Sequence, residues 1–169
     1  MRAAAYVRAD ETVVAPTSLE LAAGERRTYL CASAREAEGV AMMAAALARA
    51  TAGSVTIGDY DPRVQPVHCK RIAAFVPHDP LPLSRADADR FLTYRAALWD
   101  IDDGRARARA QEFFERLQGL HEAFAYPIVA AMLPEPQLLV IDRPQMNFVP
   151  QILAAADCAV LITQSEPLA

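Results

Sequence analysis

The sequence predicts an α/β domain organised around a largely parallel core sheet, and three observations carry that prediction. The late runs QLLVID (137–142) and CAVLIT (158–163) are apolar throughout, the composition of strands covered on both faces rather than one. Strand-like and helix-like stretches alternate along the chain, the order from which parallel sheets with helical crossovers are built. The 169 residues are 53% hydrophobic and 22% charged, enough apolar material for one core and too much for a disordered chain. No internal repeat, low-complexity tract or linker interrupts them, so residues 1–169 read as a single domain.

Residues 12–15 (TVVA) and 18–21 (SLEL) are short strand-like pieces around Pro16, and AAGE at 22–25 supplies a turn. Residues 27–31 (RTYLC) form the next strand, which passes through a loop into an Ala/Met-rich helix. Gly53 and Gly58 mark turns on either side of a β-branched strand at 55–57, and residues 71–77 (RIAAFVP) make another strand that Pro77 stops. The middle of the chain is helical. Ser84 with Asp87 three residues on resembles a capping box that starts a helix running to about Trp99. Asp102 or Asp103 can cap the following helix, in which Ala110, Phe113, Phe114 and Leu117 recur at helical spacing as one apolar stripe and which Gly119 ends. A shorter helix is expected over 126–133, with Pro127 suited to its first turn. ILAAAD (152–157) is helical, between the two apolar strands.

Bulk properties exclude several classes. A net charge of −4 gives no basic footprint for nucleic acid. No apolar stretch is long enough to span a bilayer, and the apolar part of MRAAAYVRADE is too short for a signal peptide, so a cytoplasmic protein is expected that meets membranes only through partners. Cys31, Cys69 and Cys158 are odd in number and scattered, and read as reduced thiols. The pair His68-Cys69 and the isolated His78 and His121 lack the paired spacing of zinc ligands. No G-x-S-x-G element is present to suggest a hydrolase.

The strand, loop and helix over 24–50 have the layout in which GxxxxGK[ST] cradles a nucleotide triphosphate, but the loop reads CASAREAEG. Taken with five further pieces in order, this stretch resembles the ATPase domain of ABC transporters over nearly the whole chain. LELAAGERRTYL is similar to the strand and turn before the Walker A loop, and LARATAGSVTIGDYDPR to the stretch after it. RIAAFVPHDP stands at the Q-loop, AAMLPEPQLLVIDRP at the Walker B strand, PQMNFVP at the D-loop and VLITQSE at the switch histidine. The resemblance implies a P-loop NTPase-like core, a short antiparallel N-terminal β part and a reduced helical subdomain over about 79–133.

The departures from that family are systematic. Counting from Gly24-Glu25, Ala37 stands at the Walker lysine and Glu38 at the magnesium-ligating hydroxyl, while Ala34 and Glu36 replace loop glycines. His78 stands at the Q-loop glutamine. Between Tyr126 and Val129 there are only Pro127 and Ile128 where the family has its signature loop. Asp142 keeps the Walker B aspartate, but Arg143 occupies the catalytic glutamate position, Val149 the acidic D-loop position and Gln164 the switch histidine. Two unit charges ~4 Å apart interact by roughly 4 kcal/mol at an effective dielectric near 20. Losing the lysine and gaining a carboxylate is therefore comparable to a whole micromolar binding energy of about 8 kcal/mol. The resemblance thus implies a pseudo-ATPase, with no cofactor, no metal and no catalytic residue of its own. Its expected partners are a membrane permease subunit, an active ABC ATPase subunit or both. A guanidinium and new carboxylates in facing loops further suggest that Arg143 pairs with Glu36 or Glu38.

In the same family the Q-loop and the helices after it receive the coupling helix of the membrane subunit. Here that region offers Leu81, Leu83, Phe91, Tyr94 and Trp99 among charged residues, a composition suited to a protein interface. Tyr6 lies near the position of the family's adenine-stacking aromatic and reads as an ordinary strand residue. Two other readings stay open: a ligand-binding protein or enzyme reusing the cleft through Asp142, Arg143 and Glu38, and an ATPase with atypical nucleotide contacts.

Overall fold

The computed structural model describes residues 1–79, 85–117, 119–120, 122–144 and 148–165. In chain order the elements are β1 (Arg2–Arg8), β2 (Glu11–Thr17), β3 (Arg26–Cys31), α1 (Ala34–Ala44), β4 (Ala52–Ser54), α2 (Pro66–Ile72), β5 (Ala73–Val76), α3 (Arg85–Leu98), α4 (Asp103–Arg116), α5 (Glu122–Met132), β6 (Leu138–Asp142), α6 (Val149–Ala155) and β7 (Ala159–Ser165). Among the described residues the strands form two sheets. One is antiparallel in the order β2-β1-β4, and the other is parallel in the order β3-β7-β6-β5.

The apolar runs become the two central strands of the parallel sheet, where both faces are covered. Alternation divides their side chains: Leu139, Ile141, Val160 and Ile162 face the helices α4, α5 and α6, whereas Val140 and Leu161 pack with Ala41, Ala44 and Ala45 of α1. Helix α1 is sandwiched between the sheets, its other side meeting Val14, Ala4 and Tyr6 through Ala37, Val40 and Met43. A Cβ on Gly39 would lie 2.6 Å from Val14 Cγ2 and 2.9 Å from Val13 Cγ1, so the helix approaches β2 as closely as it does because that residue has no side chain. The largest wholly buried side chains include Met43, on the side of α1 that meets β1 and β2, and Leu133, Leu139 and Ile141, on the side of the parallel sheet that meets α5.

Several elements differ from expectation. Residues 18–21 are irregular, because the second strand lies earlier, at β2; it tolerates Pro16 as an edge strand whose missing N–H breaks no interior ladder. The strand expected at 55–57 is displaced to β4. There Gly53 sits within the strand at φ +70°, where a Cβ would fall 2.1 Å from the Ala3 carbonyl oxygen, while Ile57 keeps only an isolated bridge to Tyr60. The strand expected over 71–77 begins only at Ala73, since Pro66 at the first turn opens the short helix α2 before it. Helix α5 starts before residue 126, so Pro127 lies inside it rather than in its first turn. Strand β1 was anticipated only at Tyr6, read as a strand residue, and helix α2 had no sequence counterpart. By contrast α4 follows its stripe: Asp102 caps it, Ala106 and Ala110 are buried, and Phe113, Phe114 and Leu117 pack into the core around α5. Ser84 lies outside the described residues.

Candidate functional site

The carboxyl ends of β3, β7, β6 and β5 converge on the start of α1, the end of an open parallel sheet at which ligands bind in folds of this kind. Helix α1 starts there for local reasons. Ser33 is its N-cap, accepting at Oγ from the Glu36 N–H at 3.1 Å, and the Glu36 carboxylate reaches back to accept from the Ala32 N–H at 2.8 Å. This reciprocal cap satisfies two loop donors and sets a carboxylate against the positive end of the helix. Ala37 is wholly buried among Val40 and Met43, and Glu38 is exposed. Arg35 turns away from the cleft to pair with Glu11 at 2.5 Å.

At the end of β6, Asp142 is 2% exposed and faces the α1 side of the sheet beside the fully buried Thr163. Its Oδ1 accepts from Thr163 Oγ1 at 3.1 Å and from Arg143 Nε at 2.9 Å; Oδ2 accepts from Arg143 Nη2 at 2.9 Å. Consecutive residues of a strand point to opposite faces, so such a fork between neighbours needs a break in the strand. Arg143 supplies it with φ +44°, while its N–H still donates to Thr163 O at 2.8 Å. The bond to Asp142 holds the guanidinium above its ordinary value against the opposing effect of burial, with Asp142, Glu38 and Asp79 adding electrostatically. The expected pair between Arg143 and Glu36 or Glu38 is not formed. Glu36 is used in the cap, Glu38 acts only through its field, and the left-handed turn folds Arg143 back onto its own neighbour.

The remaining predicted positions surround this pair. His78, after β5, donates from Nδ1 to the Arg143 carbonyl oxygen at 2.7 Å, which assigns the proton to that nitrogen, and its Nε2 lies 3.9 Å from Asp79. Gln164 donates from Nε2 to the Pro144 carbonyl at 3.1 Å, tying the end of β7 to the loop after β6. Cys31, at the end of β3, is buried, and its thiol is pushed up to about 12 by burial and by the carboxylates of Glu36 and Asp142. Its part in this cluster was not foreseen from sequence; only its strand-terminal position beside the loop signalled it. Ala37, Glu38, His78, Asp142, Arg143 and Gln164 are thus gathered at one end of the sheet, His78 bonding to Arg143 and Arg143 to Asp142. A cavity of about 580 Å³ opens at the opposite end, among Leu19, Gly58, Gln137 and Ala159.

Other candidates disperse. His68 stacks on Tyr60 with ring centroids 5.0 Å apart, and Cys69 Sγ lies 3.7 Å from the Tyr60 carbonyl oxygen. Among the described residues no group of three or more His, Cys, Asp and Glu side chains could hold a metal ion, and no helix is long and apolar enough to cross a membrane. Tyr126, Ile128 and Val129 are core residues of α5, and Val149 opens α6 against the same core. Of the predicted interface, Phe91, Tyr94 and Trp99 lie on or just after α3; Leu81 and Leu83 fall outside the described residues.

No protein-family model matches the chain, and no curated protein matches it. Solved structures do. An ATP-binding subunit of an ABC transporter superposes with a TM-score of 0.74 at 15% identity, covering 97% of this chain and 78% of its own. The cbiO1 protein from Clostridium perfringens, part of the ABC transporter complex cbiONQ, superposes with a TM-score of 0.74 at 13% identity over 98% of this chain and 77% of its own. The fold of this chain is that of ABC transporter ATP-binding subunits, a P-loop NTPase-like core with a parallel sheet and a small antiparallel one.

Proposed function

We propose that this chain is a catalytically inactive ABC ATPase-like subunit that binds partner proteins in a transporter assembly, in a structural or regulatory role, without binding or hydrolysing ATP. The observation that carries this reading is the closed set of contacts at the carboxyl ends of the strands. Asp142, at the position of a magnesium ligand, gives both oxygens to Arg143 and Thr163. The start of α1, where a phosphate would sit, holds the Glu36 carboxylate, and Ala37 brings no cation. A nucleotide with its metal needs converging donors and positive charge at these points, and the residues present do not fit it. The same contacts weigh against a different small ligand in the cleft, since it would have to displace a bidentate ion pair that is largely shielded from water.

The partners consistent with the fold are a permease subunit, an active ATPase subunit or both, met through Phe91, Tyr94 and Trp99 on and just after α3; Leu81 and Leu83, the other residues of the expected interface, lie outside the described residues. Location at the inner face of the cell membrane follows from such partners. Purification of the chain from the source membrane fraction, with identification of what accompanies it, tests the reading. Stoichiometric recovery of a permease or an ATPase subunit is expected, and recovery of the chain alone contradicts it.

A further inference from the structure

Strand β3 lies at one end of the parallel sheet, paired with β7 on one side and, among the described residues, with no strand on the other. A free strand edge is a template for further pairing, and proteins blunt such edges with proline, with breaks of register or by keeping them short. The other edges of this molecule carry these devices. β2 contains Pro16 and shifts register against β1, while β4 and β5 are only three and four residues long. β3 has none of them: its six residues run in unbroken register with β7, and Arg26, Arg27, Thr28 and Leu30 are exposed.

The ladder decides which backbone groups are free. The Val160 N–H donates to the Glu25 carbonyl oxygen at 2.8 Å, and alternate residues carry a parallel ladder, so Arg27, Tyr29 and Cys31 also turn their backbone groups to β7. Arg26, Thr28 and Leu30 turn their N–H and C=O groups to the open edge. Their side chains share the face away from α1, since Tyr29 and Cys31 pack on the α1 side. Leu30 is 59% exposed there, a large apolar side chain on a strand without cover. The two cations do not guard the edge. Arg27 is held by the Glu25 carboxylate at 2.6 Å, and Arg26 Nη2 donates to the Ala156 carbonyl oxygen at 3.3 Å.

We propose that β3 pairs antiparallel with β3 of a second copy of this chain, about a two-fold axis at Thr28, joining the two parallel sheets into one. The strand is self-complementary in that register. Thr28 meets the partner's Thr28 and exchanges both N–H···O bonds with it, while Arg26 meets the partner's Leu30 and Leu30 the partner's Arg26, so the outward backbone groups of the strand are all used. Threonine opposite threonine is a favourable pair, and the arginine stems cover the leucines. On the other face Arg27 stands opposite the partner's Tyr29, so no cation directly opposes a cation. Other centres fail. One at Arg26 sets like charges opposite each other, one at Arg27 or Tyr29 calls on groups that β7 already uses, and one at Leu30 sets Arg26 against Ala34, already in α1.

Sedimentation equilibrium of the full chain across the micromolar range is expected to show a reversible dimer. Thr28→Pro removes an N–H that points to the open edge and takes no part in the ladder with β7, so circular dichroism and Tm are expected to hold while the dimer weakens at least about tenfold. Leu30→Lys and Leu30→Glu, at an exposed position, read the register itself. Lysine opposite the partner's Arg26 is expected to weaken the dimer at least about tenfold, and glutamate there to preserve or strengthen it. Should Thr28→Pro disturb the fold, the two Leu30 variants decide. A monomer at every concentration, a dimer that a well-folded Thr28→Pro leaves unchanged, or equal effects of lysine and glutamate at Leu30 overturns the proposal. The pairing is independent of the transporter reading, which stands or falls on what accompanies the chain from the membrane fraction.

Discussion

Arg143, which on the proposed reading occupies the position of a catalytic glutamate, folds back onto its own neighbour in the chain. It neutralises Asp142 across two bonds of 2.9 Å while remaining largely shielded from water. Breaking a shielded pair from one side strands the other charge, at a cost of several kcal/mol. Arg143→Ala is therefore expected to lower stability to chemical denaturation by about 3 kcal/mol, the lower end of that range because Thr163 still donates to Asp142. Adding Asp142→Asn should recover part of the loss, and a loss under about 1 kcal/mol for Arg143→Ala would show the pair to be a weak surface contact. Cys31 gives a pH test of the same cluster. With its thiol pushed up to about 12 by burial, Glu36 and Asp142, the thiolate fraction keeps rising through the alkaline range, whereas an ordinary thiol levels off above about 9. Native-state alkylation mapped by mass spectrometry should thus climb steadily between pH 7 and pH 10 at Cys31, and a plateau near pH 9 would contradict the combined effect of burial and the two carboxylates. None of this pairing was legible in the residues alone. Sequence spacing put a cation and new carboxylates into facing loops, but the left-handed backbone at Arg143 decided which carboxylate it met.

Among the elements, those legible in the sequence were the ones whose local pattern agreed with their tertiary setting. β6 and β7 begin with continuous apolar runs because they are the central strands, and α4 shows its stripe because one side packs on α5. β1 was noticed only at Tyr6, because RAAAYVR has alanines where β-branched residues would signal a strand, and it is held by pairing on both sides with β2 and β4. α2 escaped because seven residues give too short a window for helical periodicity. Helix α1 depends on a position that reads as a blemish: glycine in a helix interior costs about 1 kcal/mol in propensity, yet Gly39 faces the valines of β2 at contact distance. Gly39→Ala should therefore destabilise the fold by about 1–3 kcal/mol through overpacking, despite the better helix former. Thermal unfolding checks this; a stabilised variant would mean that α1 and β2 separate freely, and Val14→Ala in the same chain should relieve the clash.

Over the whole molecule, the fold is that seen in ABC transporter ATP-binding subunits, and the polar groups at the carboxyl ends of its parallel strands bond to one another. Alternating apolar runs and turns anticipated the α/β core with its parallel sheet, and the resemblance carried by the order of landmarks anticipated the small antiparallel part, while the order of the strands was not foreseen. The contents of the cleft required geometry: the cap made by Ser33 and Glu36, the fork of Arg143 on Asp142, and the ties of His78 and Gln164 to neighbouring carbonyls. The last three connect β5, β6 and β7, while the cap holds a carboxylate at the start of α1, at the end where, on the proposed reading, a nucleotide would have to enter. Isothermal titration of magnesium-ATP into the purified chain tests this most directly. The account predicts no saturable heat at millimolar nucleotide, and a micromolar dissociation constant that weakens when Asp142 is replaced by asparagine would contradict it.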